Sequence, residues 1–125
     1  MTEGETMVLF RAVGQREVEF LRQTGCLSFP PCRPGQPFYP ALHEEYAVRI
    51  ARDWITKDAS SGYAGYVTRF RVRKVFLDRF QVQTIGNVRN QEYWIPAEHL
   101  AEFNANLVGP IEVIAEFHGQ PSPQP

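Results

Sequence analysis

The sequence predicts an α+β fold, on three observations. Helix-like and strand-like stretches do not alternate in a regular series: a strand and a helix open the chain, a proline-rich loop and a second helix follow, and the rest is mostly strands. Between Tyr63 and Val75 the residues alternate at period two. Tyr66, Thr68, Phe70 and Val72 oppose Arg69, Arg71 and Arg73, as in a strand covered on one side. From Ala41 to Ile55, Leu42, Tyr46, Ile50 and Trp54 recur every four residues with Ala47 and Ala51 beside them, which is the stripe of an amphipathic helix.

Bulk properties narrow the class. With 125 residues, 43% of them apolar, the chain can build one hydrophobic core without disulfide or metal staples. The expected domain spans residues 1–117. The stretch from His118 to Pro125 is low in complexity and is expected to be a disordered tail. A net charge of −1 provides no global attraction to nucleic acid or to an anionic membrane. No apolar run is long enough to span a bilayer. The opening Met1–Thr6 is acidic and lacks the basic and apolar regions of a signal peptide, so the expected compartment is the cytoplasm. The cysteines, Cys26 and Cys32, are expected to remain thiols there. Neither stands at zinc-ligand spacing. His43 and His99 are expected on helices and His118 in the tail, none paired at i,i+4, so no metal site is expected.

The elements follow in order. Met7 to Val13 is a strand, and Gly14 to Thr24 a helix with Val18 and Leu21 on one face and Gly25 closing it. Cys26 to Pro40 is a long irregular loop of the kind that is often functional, with Phe38-Tyr39 as a brief strand inside it. After the Ala41–Ile55 helix, Thr56 to Gly62 is a polar turn leading into the Tyr63–Val75 strand. Phe76 to Phe80 is a turn or short helix, Gln81 to Ile85 a strand, and Gly86-Asn87 a turn. Glu92 to Ile95 is a strand running into a helix that begins at Pro96 and carries Leu100, Phe103 and Leu107 on one side. Gly109-Pro110 stops that helix. Ile111 to Phe117 is the last strand, with Ile111, Val113 and Ala115 opposing Glu112, Ile114 and Glu116. Trp94 is expected in the core, where its area contributes most.

Two segments carry the chemistry. Val8-Leu9-Phe10-Arg11-Ala12-Val13 is an apolar strand with one arginine, and Gln91-Glu92-Tyr93-Trp94-Ile95 a strand with one glutamate. Such charges either face solvent in the ordinary alternation or are turned to use. An arginine suited to an anion and a glutamate suited to a cation would together serve an anionic substrate that develops positive charge. Arg69, Arg71 and Arg73 form a second basic feature, read as a solvated strand face that also discourages edge-to-edge pairing, or else as a nucleic-acid stripe. Nucleophilic serine chemistry has no support, since none of Ser28, Ser60, Ser61 and Ser122 lies on a glycine-flanked elbow. There is no glycine-rich phosphate loop and no dinucleotide-binding fingerprint.

These segments resemble the motifs of small bacterial, toxin-type ADP-ribosyltransferase domains. Leu9-Phe10-Arg11-Ala12 is similar to the family's first-strand motif. Pro37-Phe38-Tyr39, with the following helix bearing Tyr46-Ala47 and Ala51, is similar to the second. Gln91-Glu92-Tyr93-Trp94-Ile95-Pro96-Ala97-Glu98-His99-Leu100 is similar to the third. The resemblance implies a split antiparallel sheet with two to three helices and NAD, as substrate, in the cleft between the halves. It implies that Arg11 contacts the phosphates or adenosine ribose, that Tyr39 stacks on nicotinamide, and that Glu92 is catalytic, holding the ribose and stabilising the cationic charge that develops there. The implied reaction is transfer of ADP-ribose to an unknown acceptor, or hydrolysis of NAD. Two departures keep an alternative open, a catalytically inactive interaction domain of the same fold binding a protein through its long loop. Phe38-Tyr39-Pro40 has no serine-threonine-serine-like run, and Asn90 stands two residues before Glu92 where acceptor-modifying members carry glutamate or glutamine. Neither a membrane nor nucleic acid is an expected partner.

Overall fold

The strand built from the alternating arginines is the centre of the molecule. In the computed structural model, which describes residues 4–31, 35–87 and 89–119, β2 (Ala64–Arg73) lies between β1 (Thr6–Gly14) and β5 (Glu112–His118), antiparallel to both. A second, two-stranded sheet pairs β3 (Val82–Thr84) with β4 (Gln91–Tyr93). Four α-helices surround the strands: α1 (Gln15–Gln23), α2 (Glu44–Asp53), α3 (Lys74–Leu77) and α4 (Leu100–Ala105). This is a mixed α+β architecture, with one helix more than the two to three expected. The fourth is the single turn α3, which follows β2 directly and begins two residues before the turn or short helix expected at Phe76 to Phe80.

Alternation along β1 and β2 gives the three-stranded sheet two faces. Leu9, Phe70 and Val72 join Leu21, Phe29, Phe38, Leu77, Leu100 and Phe103 in the main core on the first face. The aromatic rings there pack at an angle, Phe29 edge to face on Phe70 at 4.9 Å and Phe38 tilted on Phe103 at 5.0 Å between centroids, geometries that add to simple burial. The proline-rich loop is therefore tied down at two points. Phe29 is locked further by reciprocal bonds with Asn104, whose side chain accepts from the Phe29 amide at 2.8 Å and donates to its carbonyl at 3.0 Å. Cys32, Arg33 and Pro34, in the middle of that loop, lie outside the described residues, as do Val88 and the stretch 120–125.

The second face carries α2. Ala47 and Ala51 pack on Val67 and Ala12, and the helix approaches so closely that a Cβ on Gly65 would stand 2.3 Å from the Ala51 carbonyl oxygen. This corrects the expected stripe. The helix is shorter than Ala41–Ile55, its small residues face the sheet, and Trp54 is 75% exposed. The every-four pattern marked the helix but not its buried side, because only alanine fits against a glycine-bearing strand. The last strand also departs from its expected alternation. A bulge opposite Val67/Thr68 sends Val113 to the Tyr66 side of the sheet and Ala115 to the Val67 side. The strand extends to His118, and the Gly119 amide donates to the Tyr63 carbonyl at 2.8 Å, so ordered pairing continues past the expected boundary at 117 and His118 lies on a strand.

One residue joins the two sheets. Ala41 is bridged to Phe10 on β1 and to Glu92 on β4, while Phe38 is bridged to Ile95. Beyond Ala41 the strands part, and the gap between β1 and β4 is walled by α2.

Candidate functional site

The cleft at this parting brings together the three residues singled out by the sequence. Arg11, Tyr39 and Glu92 all line a cavity of about 170 Å³, with Ala41, Tyr46 and Ile50 among its walls. Glu92 arrives from β4, Arg11 from β1, and Tyr39 from the segment between the two bridges. Tyr46 reaches in from α2, whose position rests on the contact between Ala51 and Gly65.

Glu92 is 8% exposed, and both of its oxygens are bonded. Tyr46 Oη donates to Oε1 at 2.9 Å, and Trp94 Nε1 donates to Oε2 at 2.9 Å. Both donors are neutral, and Glu92 makes no ion pair among the described residues. A carboxylate offers about four lone-pair directions, so two donors leave it able to accept more. Burial first, then the hydrogen bond to Glu92 and its charge, push the Tyr46 hydroxyl from the ordinary 10.0 up to about 12, so it remains a donor at any physiological pH.

Arg11 is held differently. Its Nε and Nη2 donate to the two oxygens of Glu17 on α1 at 2.8 and 3.0 Å, a bidentate pair, and its guanidinium carbon stacks 4.4 Å from the centre of the Phe38 ring. Two of its five donors are thereby engaged from one side. Tyr39 is 40% exposed and meets Trp94, 44% exposed, edge to face at 6.0 Å. Trp94 thus leaves the core to which its area would assign it. Its neighbour Tyr93 is buried instead, and alternation turns the indole to the cleft side, where Glu92 accepts its N–H. Phe38 and Tyr39 divide the two roles open to them, Phe38 in the core and Tyr39 at the surface.

Three participants were not picked out in the sequence. Trp94 had a readable signal as a donor, since it is two residues from Glu92 on one strand and so shares its face. Glu17 could have been found from the short strand-to-helix connection at Gly14-Gln15, which folds the first turn of α1 back beside Arg11. Tyr46 had no local signal as a partner of Glu92, because the contact depends on how α2 crosses the sheet. Nearby, Arg49 Nη2 donates to Asn90 Oδ1 at 3.1 Å and His43 Nε2 lies 3.1 Å from Gln91 Oε1, so α2 and β4 are laced together beside the cleft. His43 occupies the position just before α2 without a capping bond, and His99 closes a 3₁₀ turn, Ala97–His99.

Among the described residues, no group of three or more His, Cys, Asp or Glu side chains converges as a metal site, and no helix is long and apolar enough to cross a membrane. Compared with known proteins, the chain matches no family model, no curated protein and no solved structure.

Proposed function

We propose that this chain is an ADP-ribosyltransferase-like domain that binds the nicotinamide end of NAD in the cleft and cleaves it, passing ADP-ribose to an acceptor or to water. One observation carries the reading: Arg11, Tyr39 and Glu92, chosen from separate segments of the sequence, line the same cavity. The split between the two sheets at Ala41, and the alanines of α2 facing the sheet, are further features the resemblance implies.

The residues fit one end of the dinucleotide better than the other. A cavity of about 170 Å³ is below the size of a typical ligand pocket, so it suits a single ring with its attached sugar rather than the whole molecule. A carboxylate and an exposed aromatic ring suit a cationic heterocycle. In the chemistry NAD supplies, the bond from nicotinamide N1 to ribose C1′ breaks, nicotinamide keeps the electron pair, and an attacking oxygen or nitrogen bonds C1′ and loses its proton to solvent. Glu92 contributes a fixed carboxylate where positive charge develops, at a nearly buried position where its field is less screened. Tyr46 and Trp94 hold the carboxylate in place. Tyr39 provides a face for the departing ring.

The test is release of nicotinamide from NAD by the full chain. Glu92→Gln is predicted to reduce it by about 10²–10³-fold with the fold intact. Full activity in that variant, with a native amide spectrum, overturns the assignment of Glu92.

A second reading rests on one specific contact. Arg11 is already gripped by Glu17, which favours a non-catalytic domain of the same architecture that binds a protein partner through the loop of residues 26–40. On that reading the chain neither binds nor cleaves NAD.

A further inference from the structure

The second face of the three-stranded sheet is only half covered. α2 occupies the end at Ala12, Gly65 and Val67. The other end is open, and there a groove of about 650 Å³ runs across the strands. Its floor is apolar, with Val8 and Phe10 from β1 and Val108 and Pro110 from the segment that runs into β5. Register sets Val8 opposite Arg71 and Phe10 opposite Arg69, so each apolar residue has a guanidinium beside it. The volume lies in the range of small-molecule sites.

The charges of the three arginines are not equivalent. Arg69 Nε donates to Glu112 at 3.2 Å, and Arg73 Nη1 donates to the Ala105 carbonyl at 3.2 Å. Arg71 is exposed at the groove, and no acid among the described residues pairs with it. Within the groove, two arginines and one glutamate leave a single unmatched positive charge over an apolar floor. A second helix is a poor cover, because α2 shows that this sheet accepts a helix where the strands present glycine and valine, not long cationic side chains. A polyanion is poorly served as well, since nucleic-acid affinity grows with the number of phosphates neutralised.

We propose that this groove binds a small monoanionic amphiphile, a carboxylate whose apolar body lies on Val8 and Phe10 and whose acid group meets Arg71. The groove shares no lining residue with the cleft, so this proposal does not rest on the reading given to the cleft.

The test is a ¹⁵N NMR titration of the full chain with octanoate and, as a neutral counterpart, octanamide, repeated for Arg71→Gln. Octanoate is expected to move the amides of Val8, Phe10, Arg71 and Val108 together. Octanamide is expected to bind about fivefold more weakly, the scale of one exposed charge-assisted contact. Arg71→Gln should lose the same factor for octanoate and nothing for octanamide. The proposal is overturned if octanoate leaves these amides unmoved up to about 5 mM, a concentration that would reveal millimolar affinity. It is also overturned if octanoate shifts the Glu92 cleft instead, or if the neutral compound binds equally well. Binding of a thymidine oligonucleotide to this face with a steep salt dependence would replace it with a nucleic-acid site.

Discussion

Arg11 and Glu92 pose the same physical problem and are solved in opposite ways. Each is a lone charge on an otherwise apolar strand beside Ala41. Arg11 is neutralised by a second charge, Glu17, in a two-point contact over an aromatic ring. Glu92 is held by two neutral donors, Tyr46 and Trp94, with no cationic partner among the described residues, in a nearly buried position. A balanced ion pair contributes little field to its surroundings, and partly exposed pairs contribute little stability. A buried carboxylate without a counter-charge is costly to keep, and it projects a strong potential into the cleft. The arginine end of the cleft therefore reads as architecture and the glutamate end as equipment for a cation.

The sharpest way to break this contrast is at Glu92. A glutamine there can accept from Trp94 and donate to Tyr46, whose hydroxyl can turn to accept, so the packing survives while the charge is lost. We expect Glu92→Gln to reduce nicotinamide release by about 10²–10³-fold, the scale of one preorganised electrostatic group, as measured by initial rates at saturating NAD. The next effect is structural. Gly65→Ala should destabilise the chain by about 1–3 kcal/mol in urea unfolding, because the new methyl meets the Ala51 carbonyl and must push α2, and Tyr46 with it, off the sheet.

Tyr46→Phe should be milder, costing about 1–2 kcal/mol by removing one charge-assisted donor from Glu92. Its pH dependence is specific. The folded chain holds the Tyr46 proton up to about 12 against an ordinary 10.0, so the associated stabilisation is complete below pH 10.0 and is lost as pH rises through about 12. Unfolding free energies measured between those pH values should fall less steeply for Tyr46→Phe than for the wild type, and equal slopes would remove the link between the two residues. The smallest effect is expected at the other end. A double-mutant cycle of Arg11→Ala and Glu17→Ala should give a coupling of about 1 kcal/mol or less. A much larger value would make Arg11 and Glu17 the energetic centre of the cleft and dissolve the contrast with Glu92.

What was legible in the sequence depended on local rules. The period of two along β2 marked its two faces, and Val18 and Leu21 marked the buried side of α1. The lone charges on β1 and β4 marked residues that face solvent or are put to use, and only the resemblance set them at one cleft. What was not legible depended on how elements cross. Trp54 and Trp94 are exposed although their area argued for burial, since Gly65 admits only alanines under α2 and strand alternation puts Tyr93 into the core in place of Trp94. The bulge in β5 carries no turn residue to announce it, and it puts Val113 and Ala115 on opposite faces. The short bridges at Phe38 and Ala41 define the split between the sheets, yet they amount to single residues within a loop.

The most direct test of the central claim, that the cleft between Arg11 and Glu92 receives the nicotinamide end of NAD, is an amide NMR titration of the full chain with NAD. The account predicts saturable shifts clustered on Arg11, Tyr39, Glu92 and the Tyr46 end of α2, abolished or displaced in Glu92→Gln. The absence of shifts at millimolar NAD, or shifts confined to another surface, would contradict it and leave the loop of residues 26–40 as the first place to seek a protein partner.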